Sequence, residues 1–86
     1  MEIRNRLPHI GKLSGTAKLP LVELAGTKRI LIENHMGILA YSPEEIQIKV
    51  EYGGLLITGN GLKFTELCKE QLVITGHIDT IRLHRR

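Results

Sequence analysis

The chain has no tryptophan, one phenylalanine, two tyrosines and one cysteine among its 86 residues. A lone cysteine, Cys68, excludes an internal disulfide, and with it the stapled scaffolds of small secreted proteins. Aromatics at 3% leave the core to be built from Ile and Leu. No apolar run approaches the roughly 18 residues of a membrane span. The opening MEIRNRLPHIGKLSG lacks the apolar stretch of a secretory signal. The length excludes doubly wound nucleotide folds and TIM barrels, which need roughly 200 residues or more. Nor does any segment carry a convincing helical stripe, the short Thr65–Gln71 stretch being the best candidate. These absences predict a protein of the reducing cytoplasm that would meet a membrane only through a partner.

Signatures of chemistry are also missing. Four histidines (His9, His35, His77, His84) and Cys68 match no zinc spacing, so no metal or other cofactor is expected. Gly53-Gly54 and Gly59-x-Gly61 are not a phosphate loop, because no helix start or Lys-Ser/Thr follows them. Glu44 and Glu45 are adjacent in an extended segment and point to opposite faces. Cys68 reads as a half-buried thiol at a strand end. No catalytic residue is expected, and the chain reads as a non-enzyme.

What is present is β texture. Hydrophobic residues at 42% and charged residues at 24% are an ordinary globular composition. Residues 1–18 are rich in Gly, Lys and Arg and read as a basic, partly mobile N-terminal arm. Residues 19–86 read as a single small β domain. Ile46, Ile48, Val50 and Tyr52 alternate with Gln47, Lys49 and Glu51, the period of a half-buried strand. Ile30 and Ile32, Leu62 and Phe64, and Ile81 and Leu83 alternate likewise. Gly53-Gly54, Gly59-Asn60-Gly61 and Ser42-Pro43-Glu44 read as turns.

A near-repeat of about 17 residues runs through Pro20–Ala25, Gly37–Ser42, Gly54–Gly59 and Gln71–Gly76. It fits short antiparallel strands in a meander or sandwich, and alternatively a short β-solenoid. Ile46, Ile48, Ile57, Leu62, Phe64, Ile74, Ile81 and Leu83 form the expected core. Leu31, Leu39 and Leu56 lie out of phase and give the sheet an apolar second face. A second copy of the chain, or the arm through Ile3, Leu7, Ile10 and Leu13, would cover that face, and a homo-oligomer is expected.

The basic excess is small, +3, and sits at the termini: Arg4, Arg6, Lys12 and Lys18 in the arm, and Arg82, Arg85 and Arg86 at the end. The alternative reading is therefore a small β nucleic-acid-binding domain using its basic termini. The scarcity of aromatics for base stacking argues against it.

One polar cluster stands between two apolar strands: Glu33, Asn34 and His35, followed by Gly37. It reads either as a turn, with Asn34 bonding the backbone and Gly37 at positive φ, or as a recognition corner for a protein partner.

The run Ile32-Glu33-Asn34-His35, then Gly37-Ile38, Tyr41 and Glu45-Ile46-x-Ile48, resembles the YabP/YqfC family of small sporulation proteins. The resemblance continues through Gly54-x-Leu56-x-Thr58-Gly59, Leu62-x-Phe64, and Leu72-Val73-Ile74-Thr75-Gly76-x-Ile78 with Ile81, covering roughly Leu19 to Leu83. The spacing is nearer to the YqfC-like branch. The short basic arm and Phe64, where many relatives carry an aliphatic residue, depart from the pattern. The resemblance implies a non-enzymatic protein of endospore formation in the mother cell. It also implies a membrane-protein partner at the developing spore, and it supplies no catalytic residue.

Overall fold

The computed structural model describes residues 19–85; the expected N-terminal arm, 1–18, lies outside the described residues. Six strands follow one another: β1 (Leu21–Ala25), β2 (Arg29–Glu33), β3 (Ile38–Tyr41), β4 (Glu45–Val50), β5 (Gly53–Leu67) and β6 (Gln71–Arg85). All pairings are antiparallel, and they form one open sheet in the order β1-β2-β6-β5-β4-β3. There is no helix among the described residues, and so none long and apolar enough to cross a membrane. The all-β meander is what the alternation predicted: β3 to β6 follow one another across the sheet, and the β1–β2 hairpin adds beside β6. Stacked parallel coils, the solenoid alternative, are not what the ladders form.

The four copies of the near-repeat each begin a strand, but with two outcomes. In the first copy Gly26, at φ 59°, opens a reversal closed by the Lys28 N–H donating to the Ala25 carbonyl at 3.2 Å. In the second copy Pro43, which has no N–H to give a ladder, sits in a two-residue reversal. There Ser42 and Glu45 exchange backbone bonds of 2.8 and 3.2 Å, and Ser42 Oγ accepts from the Glu44 and Glu45 amides. The third and fourth copies do not reverse. Their polar punctuation becomes bulges inside β5 and β6, with register shifts at Thr58/Gly59, between Asn60 and Lys63, and between Phe64 and Glu66. Two strands of 15 residues result, where the sequence predicted short ones.

The bulges need glycine. A Cβ on Gly59 would collide with the His77 carbonyl oxygen. Gly76 has φ 140°, and a Cβ there would lie 2.6 Å from the Gly61 carbonyl oxygen.

The bulges divide the sheet into two halves. The first half of β5 pairs with β4 and with the end of β6; its second half pairs with the start of β6, which pairs with β2. Ile30, Ile32, Leu72 and Ile74 from one half join Ile46, Ile48, Val50, Leu55 and Ile57 from the other in a single buried cluster, with Leu62 and Ile78 at the bend. A flat sheet could not bury both sets, so the sheet folds over with its apolar faces inward. Each fully buried Ile or Leu contributes about 1.5–3 kcal/mol relative to exposure.

Several sequence expectations fail for physical reasons. The hairpin between β4 and β5 turns at Glu51-Tyr52, with Tyr52 at φ 67°, and not at Gly53-Gly54. Gly53 is needed inside β5 because a Cβ there would collide with the His84 carbonyl oxygen. Asn60-Gly61 bends a strand where a turn was expected. The Thr65–Gln71 helix candidate is the end of β5 and the β5–β6 reversal. Leu83 is 57% exposed, because β6 is an edge strand there and the covering half does not reach it; Ile81 and Phe64 are half-buried against the core. Cys68 is exposed, just past the end of β5. On the second face Leu39 is exposed, while Leu31 and Leu56 are half-buried.

Candidate functional site

The Glu33-Asn34-His35-x-Gly37 cluster is the link from β2 to β3. In the sheet those strands are far apart, so these few residues carry the chain from one half to the other. Two positive φ values turn it: 63° at Asn34 and 127° at Gly37. Asn is the residue besides Gly that most readily takes the left-handed region. Nothing lies within 4 Å of a Cβ at Gly37, so its conformation, and not space, calls for glycine there.

The link is bonded to every segment it passes. The Asn34 N–H donates to the Glu70 carbonyl at 2.8 Å, and its side-chain Nδ2 donates to the Leu19 carbonyl at 2.9 Å. The Met36 N–H donates to the Lys49 carbonyl at 2.7 Å, and the Lys49 N–H returns a bond of 2.8 Å to Gly37. The Gly37 N–H donates to His35 Nδ1 at 3.0 Å. Nδ1 is therefore an acceptor, and the ring proton sits on Nε2, which donates to the Cys68 carbonyl at 3.0 Å. Both ring nitrogens are committed to backbone. The imidazole thus ties the link to the β5–β6 reversal. The turn reading of Asn34, His35 and Gly37 describes this geometry.

Glu33 differs from its neighbours. With Asn34, Glu66, Cys68, Lys69, Glu70 and Gln71 it lines an open cleft of about 550 Å3. Three carboxylates face one ammonium there. Glu66 Oε2 accepts from Gln71 Nε2 at 3.1 Å and from the Cys68 thiol at 3.7 Å. The cleft is acidic, open and adjacent to the link, and it can receive a basic or hydrogen-bond-donating group of a protein. Among the described residues, no group of three or more His, Cys, Asp or Glu is placed to hold a metal ion.

The sequence placed Glu33, Asn34, His35 and Gly37 together, and the structure keeps them together. Glu66, Lys69 and Glu70 were missed. Their one signal was the density of charge in Glu66–Glu70, which reads equally as a solvated turn. Apart from the nearby Gly37 amide, the partners of His35 and Asn34 are backbone carbonyls distant in sequence, which no side-chain motif announces.

Residues 17–86 match the model of the YabP family. The chain is also 31% identical over 64 residues to the uncharacterized protein YqfC of Bacillus subtilis (strain 168), a stretch covering 74% of this chain and 69% of that protein. No solved structure matches the chain.

Proposed function

The chain belongs to the YabP family, and from that premise we propose that it is a non-enzymatic sporulation protein, an all-β interaction and assembly module. In this reading it acts in the cytoplasm of the mother cell during endospore formation, where it binds a membrane-protein partner at the forespore and associates with itself. Family membership points to a role related to sporulation, and it is the observation that carries the proposal. Two features support an interaction role. Apolar side chains are exposed along the sheet, among them Leu21, Leu24 and Leu39, and at Met36 in the β2–β3 link. The acidic cleft beside the β2–β3 link offers Glu33 to a basic segment of a partner. In this reading Glu33 contacts the partner while Asn34, His35 and Gly37 hold the shape that presents it.

The test is a pull-down from sporulating mother cells, with the full chain as bait and co-purified membrane proteins quantified. Glu33→Lys is the control bait. Membrane proteins enriched by the native chain and depleted by Glu33→Lys, with thermal stability unchanged, support the reading. Equal capture by both baits removes the cleft from it. Salt-dependent binding of labelled RNA or DNA, with no membrane protein enriched, replaces it with the nucleic-acid alternative.

A further inference from the structure

Two stretches of sheet edge are open among the described residues, free of bulges and matched to each other. Among the described residues β1 pairs with β2 alone, which leaves its outer edge without a strand partner there. β6 pairs with β2 from Gln71 to Thr75, and the Gly76 and Ile78 amides reach the Lys28 and Thr27 carbonyls. Beyond that point the same edge of β6 has no backbone partner among the described residues. The register of Thr80–Arg85 with β5 is unbroken, as is that of β1 with β2. The other open edges among the described residues are poorer: β3 is short and carries a register shift between Ile38 and Ala40, and the side of β5 beyond β4 carries one between Phe64 and Glu66, features that blunt an edge against pairing.

The registers assign every side chain to a face. On β1, Val22 and Leu24 pair with Ile32 and Ile30 and lie on the core side, while Leu21, Glu23 and Ala25 lie on the outer side. On β6, Ile81 and Leu83 pair with Ile57 and Leu55 on the core side, while Thr80, Arg82 and His84 lie on the outer side. Leu24 and Leu83 are 53% and 57% exposed, and Glu23 and Arg82 are exposed as well.

We infer that the chain assembles head to tail, with β1 of one copy adding antiparallel to the Thr80–Arg85 edge of the next, Glu23 opposite Arg82 of that second copy. This rests on the self-association in the reading above and names its surface. With Glu23 opposite Arg82, Leu24 falls opposite Ile81 and Val22 opposite Leu83. Apolar side chains then meet on the core side and opposite charges on the outer side, while the open backbone groups of both edges become paired. The symmetric alternatives are worse. Two β1 strands centred on Glu23 bring carboxylate to carboxylate, and two β6 strands centred on Arg82 bring guanidinium to guanidinium. A head-to-tail contact repeats, so the product is a closed ring or a filament.

The experiment follows sedimentation of the full chain against concentration, for the native protein, Glu23→Lys, Arg82→Glu and the equimolar mixture of the two variants. Both substitutions lie at exposed positions, and circular dichroism confirms that each variant folds. The native chain is expected to form species larger than a dimer. Each variant alone is expected to associate about tenfold more weakly, since opposed like charges replace a cross-strand ion pair. The mixture is expected to regain native association, because each variant's altered edge then meets its complement. A native chain that stays monomeric overturns the inference, as does association indifferent to both substitutions or a mixture no better than its components. A monomer that still captures a membrane protein in the pull-down overturns this inference alone. A native assembly that captures none leaves it standing and removes the partner from the preceding reading.

Discussion

The first two copies of the 17-residue near-repeat and the last two have the same kind of sequence and different shapes. Gly26-Thr27-Lys28 and Pro43-Glu44 reverse the chain, so each of these copies is a hairpin of short strands. Asn60-Gly61 and Gly76-His77 only bend it, so each of these copies is half of the long β5–β6 ladder. Gly61, like Gly26, has a positive φ and nothing within 4 Å of a Cβ, and both serve through their conformation. What sets the ladder copies apart is their other bulge glycines, Gly59 and Gly76, which the backbone of the neighbouring strand approaches. Gly59 serves through contact, with the backbone of β6 where a side chain would stand. A polar, glycine-bearing segment therefore does not decide between turn and bulge; the neighbouring strand does.

Substitutions at the two kinds of glycine break this comparison most directly. Gly59→Val has the largest expected effect. The branched side chain cannot fit beside the His77 carbonyl without parting β5 from β6, so a loss of more than about 4 kcal/mol is expected, enough to unfold a small domain. Loss of cooperative unfolding in a denaturant titration checks it, and a native-like midpoint would show that the ladder can open at the bulge without cost. Ile48→Ala comes next, at about 2–5 kcal/mol, because Ile48 is fully buried in the cluster that both halves share. A small shift of the denaturant midpoint would mean that the hairpin copies pack less tightly than the ladder.

Gly26→Ala sharpens the contrast. With space available and only φ 59° against it, the expected loss is about 1–2 kcal/mol, measured by thermal unfolding. A cost equal to that of Gly59→Val would erase the distinction between conformational and contact glycines. The smallest effect is a gain. Tyr52 holds φ 67° at a hairpin tip while 72% exposed, so Tyr52→Gly relieves a strained backbone. A rise of about 0.5–1 kcal/mol is expected by the same measurement.

This comparison also explains what the sequence could tell. The alternation around Ile30, Ile46 and Ile48 reported a burial that is local in origin, and those residues are fully buried. Leu83 carried the same alternation and is exposed, because its cover depends on how far the opposite half extends. The Gly53-Gly54 pair looked like the stronger turn, but Gly53 is held in β5 by the close approach of β6, which moved the reversal onto Glu51-Tyr52. At the β2–β3 link the turn residues were legible because Asn and Gly have distinctive backbone freedom. The cleft was not, since Glu33 and Glu66–Gln71 meet only once β2 pairs with β6, a contact between segments far apart in sequence.

The long ladder has a kinetic consequence. Its reversal at Cys68–Glu70 brings together neighbours in the chain, with the Cys68 N–H donating to the Gln71 carbonyl at 2.9 Å. From there β5 and β6 can zip outward with little loop entropy to overcome at each step. The β3–β4 and β4–β5 pairings also join consecutive strands. The β2–β6 pairing is different: Ile30 must find Ile74, and almost the whole sheet lies between them in sequence. We expect the β5–β6 hairpin to form the folding nucleus and β2 to dock last. Weakening Ile74 or Phe64 on the ladder would then slow folding, while weakening Ile32 on β2 would mainly speed unfolding, a partition that the two arms of a chevron plot separate.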